Sequence, residues 1–351
     1  MPRVLIYRLG SLGDSLLALP TLHMVRRTFK DAHITILTNA PVDVRAAPLA
    51  AILEGMGLYD EVIEYAIGLR GVRGLVGMRK KIAGHKFDLL LNLTPYRGII
   101  GTLRDYIFFR LCNVRKIVGT PLAERRVRKI YEGDRIRYQW EARRIAQRVS
   151  PLMSVDLRDD GLWDLRLSEV ERGAAAKLLG EFFSGGFLAA SIGTKMDAKD
   201  WTLPKWMEMF SRLSAAFPRL RLVLLGSMEE RGISDRCLEV WSGPKLNLCG
   251  SASPRVSAAI LARATLFVGH DSGPMHLAAT VGVPCVAIFS ARNLPGQWFP
   301  RGSRNTVIYH QMPCFGCDLG TCAHYDKLCI RSISVDEVLT AVRRYFALSA
   351  A

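Results

Sequence analysis

Short apolar, β-branched runs alternate with longer amphipathic stretches along almost the whole chain. The runs have strand length and lie at residues 4–8, 33–38, 61–65, 87–93 and 116–119, and again at 187–193, 220–226, 246–249, 265–269 and 284–289. Strand-length runs separated by helical stretches are typical of parallel sheets covered by helices. The pattern therefore predicts an α/β protein.

The runs form two consecutive series, which indicates two doubly wound, Rossmann-like domains. The chain has 351 residues, about twice the usual size of one domain. A polar passage at residues 156–164 precedes the second series. We therefore expect a first domain at residues 1–165, a second at 166–334, and a final helix within 335–351.

Composition limits the classes of protein that need considering. The chain is 49% hydrophobic and 23% charged, as in ordinary globular proteins. Its start runs directly into a strand, and no apolar run approaches the roughly 20 residues needed to span a bilayer. We expect a cytoplasmic protein without a spanning segment.

Positive charge is unevenly distributed. The formal net charge is +16, and residues 97–148 alone contain fourteen basic and five acidic residues. Such a segment suits nucleic acid, an acidic lipid headgroup or an anionic glycan, or it is simply a solvated basic face. Few aromatic residues interrupt it, which disfavours stacking on nucleic-acid bases. A nucleic-acid-binding protein is the alternative from a different class, but because stacking is disfavoured we expect no nucleic-acid partner.

A glycine-rich turn that contains Gly10, Ser11, Gly13 and Asp14 follows the first predicted strand. Glycines there let backbone N–H groups approach an anion at a helix N-terminus. The turn is not GxGxxG, and the chain contains no GxxxxGK[ST]. The alternative of a nucleotide-dependent oxidoreductase or epimerase on the same fold class is therefore disfavoured, and so is a P-loop enzyme. Asp14 supplies a carboxylate, either for chemistry or as a helix cap.

The corresponding turn of the second series carries Asp271, Ser272, Gly273 and His276. A hydroxyl, a glycine and the free N–H groups of a following helix predict a diphosphate site. His276 comes about one turn into that helix, where it either lines the site or packs.

Two further turns of the second series add polar groups. Thr194 and Lys199 follow the strand at residues 187–193, and Glu230 follows the strand at 220–226. Each alone is an ordinary turn residue. Together with the turn at Asp271 they predict one site, because the carboxyl ends of parallel strands share an edge.

With these motifs the chain resembles glycosyltransferase family 9, the lipopolysaccharide heptosyltransferases, over nearly its full length. The resemblance rests on residues 11–20, on Lys199-x-Trp201 and on residues 271–277. It implies a GT-B fold, in which two Rossmann-like doubly wound domains face an interdomain cleft. It also implies that the last helix returns to the first domain.

The resemblance implies an inverting, metal-independent transfer of a sugar, heptose from ADP-heptose, to a lipopolysaccharide core or related surface glycan. Asp14 matches the general base. The positions that match donor-binding residues are Thr194, Lys199, Glu230, Asp271, Ser272, Gly273 and His276. No cofactor is implied for catalysis.

On the acceptor side we expect Ser11, Gly13 and Arg97 to contact an anionic glycolipid. We also expect peripheral contact between the protein and the inner face of an anionic membrane.

Residues 290–300 replace the Gly-Pro-Thr-Asp-Pro run that is common in heptosyltransferases. Another nucleotide-sugar, or a protein acceptor, therefore remains an alternative.

Four of the eight cysteines crowd together as Cys314, Cys317, Cys322 and Cys329. In a reducing compartment such a cluster favours a tetrathiolate site for zinc or iron over disulfides. We expect a structural role, either with bound metal or as a loop staple without it.

Overall fold

The computed structural model describes residues 1–40, 48–66, 71–120, 129–132 and 135–347. These residues form two compact units. The first unit comprises Met1–Ile130 and Gln139–Arg166, and the second comprises Tyr131–Tyr138 and Leu167–Ala351. The main division falls one residue from the predicted boundary. Within the described ranges, no helix has the length and apolar character that a bilayer span requires.

The first unit contains a five-stranded parallel sheet in the order β3-β2-β1-β4-β5. Its strands are β1 (Arg3–Tyr7), β2 (His33–Asn39), β3 (Glu61–Tyr65), β4 (Leu89–Asn92) and β5 (Lys116–Val118). Its helices are α1 (Leu12–Thr28), α2 (Ala50–Leu53), α3 (Val72–Gly84), α4 (Gly98–Leu111) and α5 (Glu141–Arg148). Because β1 is central and covered on both faces, Leu5 and Ile6 are completely buried.

Two short strands, β6 (Lys129–Glu132) and β7 (Arg135–Tyr138), pair with each other. Residues Tyr131–Tyr138, which include β7, belong to the second unit, although the chain on either side of them belongs to the first. The backbone N–H of Tyr138 donates to the carbonyl of Pro295.

The second unit contains a six-stranded sheet in the order β10-β9-β8-β11-β12-β13, again with parallel neighbours. Its strands are β8 (Leu188–Ser191), β9 (Leu222–Leu224), β10 (Lys245–Asn247), β11 (Leu266–His270), β12 (Cys285–Phe289) and β13 (Thr306–Tyr309). Its helices are α6 (Glu169–Leu179), α7 (Leu203–Ala216), α8 (Arg231–Glu239), α9 (Pro254–Leu261), α10 (Gly273–Thr280), α11 (Leu328–Arg331) and α12 (Val335–Ala347).

All ten predicted strands overlap observed ones, so the predicted α/β class is confirmed. Three strands, β13, β6 and β7, were not predicted from the sequence. The sequences of β6 (KIYE) and β7 (RIRY) contain two charged residues each, so they lack the continuous apolar run that indicates the other strands.

Helix α12 packs in the second unit, against α7, β11 and β12. Its apolar positions Val335, Val338 and Val342 recur at helical spacing and are buried in that unit's core beside Trp201 and Trp206. The apolar stripe of α12 is therefore buried within the second unit, and the return of this helix to the first domain stays a prediction.

The strand order reverses between β1 and β4 in the first unit and between β8 and β11 in the second. Ligands of open α/β sheets bind beside the carboxyl ends of strands at such points. The turn at Gly10 follows β1, and the turn at Asp271 follows β11. In each unit, a predicted site residue therefore lies at the carboxyl end of a central strand, where ligands of such sheets bind.

Candidate active site

Asp14 lies in the first turn of α1, with its side chain about one quarter exposed (26%). Its Oδ2 accepts a hydrogen bond from the backbone N–H of Ser11 at 2.9 Å. The positive end of the helix dipole favours a carboxylate at this position. Asp14 therefore closes the first turn of the helix and still presents part of its carboxylate to solvent.

Gly10 determines where the Asp14 side chain can lie. Its φ is +128°, and a Cβ at this position would be 2.3 Å from the Asp14 Cγ. Any larger residue would be strained and would displace the carboxylate. The glycine-rich turn therefore positions Asp14, in addition to bringing backbone N–H groups to the sheet edge.

Arg8 supports the same turn from inside the first unit. Its guanidinium is buried and donates to the carbonyl of Leu93 at 2.7 Å and to that of Asp14 at 2.9 Å. Burial lowers the pKa of Arg8, while the charges of Asp14 and Glu141 oppose that effect. Glu141 is itself buried and pairs with Arg144 at 2.8 Å. Sequence reasoning missed Arg8, whose only signal is an arginine at the end of an apolar strand.

The three acceptor-side candidates lie in different surroundings. Ser11 precedes α1, and Gly13 is buried within its first turn. Arg97 forms an ion pair with Asp105 and donates to the Tyr7 hydroxyl at 3.1 Å. Because the carboxylate of Asp105 compensates its charge, Arg97 contributes less to the basic surface than its sequence position suggests. The basic residues at 125, 126 and 128 lie outside the described part of the chain.

In the second unit, Lys199 and Asp271 meet although 72 positions separate them. The Lys199 Nζ donates to the Asp271 Oδ2 at 2.8 Å and to its carbonyl at 2.9 Å. The Nε2 of His276 lies 3.9 Å from the Asp271 Oδ1. The fold therefore brings together these three predicted donor-site residues.

Asn293 completes the surroundings of this carboxylate, and sequence reasoning missed it. Its Nδ2 donates to the Asp271 Oδ2 at 2.6 Å. Arg292 Nη1 donates to the Asn293 Oδ1 at 3.0 Å, which fixes the orientation of the amide so that its N–H faces Asp271. In the sequence, residues 290–300 stand out only as a departure from the heptosyltransferase pattern.

Ser272 and Gly273 form the start of α10. The Ser272 Oγ is buried and has no hydrogen-bond partner among the described residues. The first-turn N–H groups of a helix also lack partners within the helix and carry its positive dipole. A buried hydroxyl beside such N–H groups suits a phosphate oxygen.

Thr194 and Glu230 lie near each other at the ends of β8 and β9. Thr194 lines a cavity of about 270 Å³ together with Gly193. The Glu230 carboxylate occupies the space beside Gly193 and Gly226, where added Cβ atoms would lie 2.0 and 2.2 Å from it. Its Oε2 accepts the backbone N–H of Ser227 at 2.9 Å. The two glycines therefore make room for Glu230 at this edge.

The cysteine-rich segment, residues 314–329, contacts both loops that hold Asp271. The Gly316 N–H donates to the Ala291 carbonyl at 2.8 Å, and the Ala198 N–H donates to the Gly320 carbonyl at 3.0 Å. Arg292 also donates from Nε to the Leu319 carbonyl at 2.8 Å. The segment therefore supports the loops of both Lys199 and Asn293.

The four predicted metal ligands are free, partly exposed thiols. Burial raises the pKa of Cys329, and the nearby thiols of Cys314, Cys322 and Cys317 act in the same direction. Across the described ranges, however, no group of three or more His, Cys, Asp or Glu side chains is arranged to hold a metal ion. The thiols lie near one another without forming a ligand set.

Comparison with known proteins identifies the family. Residues 78–325 match the family model of glycosyltransferase family 9 (heptosyltransferase), which is more than half of the chain. The chain belongs to this family. Among curated relatives, the lipopolysaccharide core heptosyltransferase OpsX of Haemophilus influenzae is 20% identical over 86% of this chain and 83% of its own. Lipooligosaccharide heptosyltransferase 2 of Campylobacter jejuni is 31% identical, but the match covers 26% of this chain and only 29% of that relative.

Solved structures of glycosyltransferases share the fold. The family 9 glycosyltransferase of Veillonella parvula has a TM-score of 0.70 at 19% identity, covering 99% of this chain and 97% of that one. Escherichia coli ADP-heptose lipopolysaccharide heptosyltransferase II has a TM-score of 0.66 at 15% identity, covering 99% and 100%. Iron-containing dodecameric TibC of E. coli has a TM-score of 0.51 at 13% identity, covering 99% and 76%. The predicted GT-B fold is confirmed.

Proposed function

We propose that this family 9 member is an inverting glycosyltransferase that transfers heptose from ADP-heptose to a lipopolysaccharide core or a related surface glycan. The observation that carries the proposal is the turn at Asp271. There Lys199 holds the carboxylate beside the first N–H groups of α10 and the Ser272 hydroxyl, which has no hydrogen-bond partner in the described part of the chain. Its relatives among heptosyltransferases, one of them named for ADP-heptose, support this choice of donor.

The donor-side residues suit a nucleoside diphosphate. Lys199, the Ser272 hydroxyl and the N–H groups at Gly273 would stabilise the two phosphates and the negative charge that develops on the leaving ADP. Glu230, which projects toward Gly193, would accept the ribose hydroxyls, and Thr194 would bind at the phosphates. Because the Asp271 carboxylate compensates the charge of Lys199, the remaining stabilisation would come from the Ser272 hydroxyl, the first N–H groups of α10 and the helix dipole, and we propose that catalysis needs no metal.

Asp14 would act as the general base. It takes the proton of the acceptor hydroxyl while that oxygen attacks the anomeric carbon in line with the bond to the diphosphate. The new C–O bond forms as the bond to ADP breaks, so the anomeric configuration inverts. Arg8 and Gly10 would hold the carboxylate in place during this step.

For the acceptor we propose an anionic glycolipid, which would suit the basic character of residues 97–148 and would bring the enzyme to the inner face of a membrane. A different nucleotide-sugar, or a protein acceptor, is the nearest alternative. A screen of ADP-, UDP- and GDP-sugars by isothermal titration calorimetry separates the donors.

For the cysteine-rich segment we propose a separate, structural role: zinc or iron would draw its four thiols together into a site, because the described side chains do not form a ligand set without metal. TibC is described as iron-containing, and here four thiols lie within one short segment. Elemental analysis of the purified protein tests this idea. We expect about one metal ion per chain, and its loss in a Cys317→Ser/Cys322→Ser variant. A metal-free, fully folded protein would leave the segment as a simple loop staple.

The decisive test of the proposed function compares Asp14→Asn with Lys199→Ala. We expect Asp14→Asn to bind ADP-heptose normally and to lose transfer, because an amide cannot take the proton. Lys199→Ala should lose donor binding. NMR spectroscopy of the product should show an inverted anomeric centre, and EDTA should leave turnover unchanged. Full transfer by Asp14→Asn would contradict the assignment of the base.

A further inference from the structure

Helices α3 and α4 of the first unit expose an unusual amount of apolar surface. Nine of the eighteen large apolar side chains that are exposed in the described part of the chain lie here, three on α3 and six on α4. Val72 is 77% exposed and Ile100 is 85% exposed. Scattered exposed apolar residues are normal, but a concentration on two adjacent helices marks an interaction site.

The exposed residues on α4 form one stripe. Ile100, Leu103, Ile107 and Leu111 recur at helical spacing, whereas Thr102, Asp105 and Phe109 form the buried side of the same helix. The outward stripe is therefore additional to the stripe that anchors α4 in the first unit.

Helix α3 continues this surface. Ile82 is its one fully buried side chain, while Val72 and Val76 point to solvent. The two helices pack beside each other. We name the exposed surface of α3 and α4 the α3–α4 face.

The charges of the α3–α4 face are almost all positive. Residues 71–86 contain no acidic residue and five cations, all exposed: Arg73, Arg79, Lys80, Lys81 and Lys86. The one acid of α4, Asp105, is paired with Arg97 and Arg104. No unpaired carboxylate of these two helices therefore opposes an anionic partner.

We propose that the α3–α4 face docks the first unit on an anionic bilayer surface. Large apolar side chains insert at the headgroup boundary while basic residues pair with lipid phosphates. A second copy of the chain would bring two cationic faces together, and a nucleic acid would leave the apolar stripe unsatisfied. This inference deepens the proposed function, because a lipid-anchored acceptor would lie in the same surface.

Vesicle co-sedimentation of the full chain tests the proposal without any sugar acceptor. Vesicles of phosphatidylcholine alone are compared with vesicles that contain 30% phosphatidylglycerol, about a third anionic lipid. We expect binding to the anionic vesicles, at least about tenfold weaker binding to neutral ones, and release at high salt. Each basic residue near the leaflet should contribute roughly fivefold to partitioning.

Two variants separate the components of binding. Ile100→Gln/Leu103→Gln/Ile107→Gln removes the stripe, and Lys80→Gln/Lys81→Gln removes two cations. The matched controls are Val170→Gln, at an apolar position 82% exposed on α6, and Lys177→Gln on the same helix. We expect each test variant to lose about tenfold or more in vesicle binding, while both controls bind as the unaltered chain does.

In the stripe variant, the thermal unfolding temperature and the affinity for ADP-heptose should stay unchanged. Those two results would show that the variant folds. Equal vesicle binding by the stripe variant and the unaltered chain would overturn the proposal. The proposal would also be overturned if the unaltered chain bound no vesicle but formed an oligomer, and if the stripe substitutions abolished that oligomer. Because these assays use neither acceptor nor turnover, failure of the Asp14→Asn test would leave their outcome unaffected.

Discussion

The guanidinium of Arg8 lies 2.9 Å from the Asp14 carbonyl oxygen and 3.6 Å from its Oδ1. It also lies 3.9 Å from the buried Glu141 Oε1. One buried cation therefore links the turn that carries the proposed base to a buried carboxylate on α5. Such a cation positions the turn and also makes the stability of the first unit depend on charge balance.

Replacing Arg8 should expose this dependence. Arg8→Met leaves Glu141 with one partner fewer and should lower the free energy of unfolding by about 3–5 kcal/mol. Urea denaturation measures the loss. Because Arg8→Met/Glu141→Gln removes both charges, it should be less destabilised than the sum of its single variants. Strictly additive losses would mean that the two residues do not interact.

Gly10 offers a test of Asp14's position that leaves the carboxylate in place. Gly10→Ala puts a methyl group where the Asp14 side chain lies, so transfer should fall about 100-fold while donor affinity is retained. Turnover and calorimetry measure the two quantities. Gly77→Ala, in α3 with open space around its Cβ position, is the matched control and should transfer normally. Equal rates for both variants would argue against the positioning role.

Gly193 tests the role of Glu230 in the same way. Gly193→Ala would push the Glu230 carboxylate away, and ADP affinity should fall about tenfold or more, as in Glu230→Gln. Because the displaced atoms are the end of a flexible side chain, stability should change little. Gly232→Ala, which has open space, provides the control. Unchanged ADP affinity in Gly193→Ala would indicate that ribose binding does not involve Glu230.

Asn293 should be necessary for the geometry of Asp271. Asn293→Asp replaces an N–H donor with an oxygen against the Asp271 carboxylate, and we expect ADP-heptose affinity to fall on the order of 10- to 100-fold. Asn247→Asp makes the same change against Asp235, which Asn247 contacts at 2.6 Å. Calorimetry should find normal donor binding in this control. Equal affinity in the two variants would show that Asn293 has no role in donor binding.

His270 should make the second unit sensitive to acid. Its side chain is buried, and its Nε2 accepts a hydrogen bond from the backbone N–H of Trp201. Burial lowers the pKa of His270 to about 4. Between pH 6.5 and 4 the unfolded chain binds a proton that the folded chain excludes, so stability falls as the pH drops through this window. The contribution is on the order of 3 kcal/mol. His270→Gln should show a flatter dependence of urea unfolding on pH, and an unchanged slope would contradict the assignment.

Much of the fold is readable from the sequence because it rests on local periodicity. The runs at residues 4–8 and 187–193 become the central strands of the two sheets. The turns at Asp14 and Asp271 follow strands, so their places at the sheet edges follow from parallel topology. Periodicity says which face of a helix is apolar but not which surface covers it, and only the structure shows that α12 packs against α7, β11 and β12.

The amino-acid sequence by itself determined the α/β class, the two series of strands and the glycine-rich turns, since each depends on neighbours within a few positions. Tertiary structure alone decided that Asn293 and Lys199 share the Asp271 carboxylate and that Arg8 supports Asp14. It also decided that the apolar stripe of α4 faces outward. Such relationships join residues that are distant in sequence, or they depend on what packs against a helix. Neither kind of relationship can be predicted from the local spacing of residues.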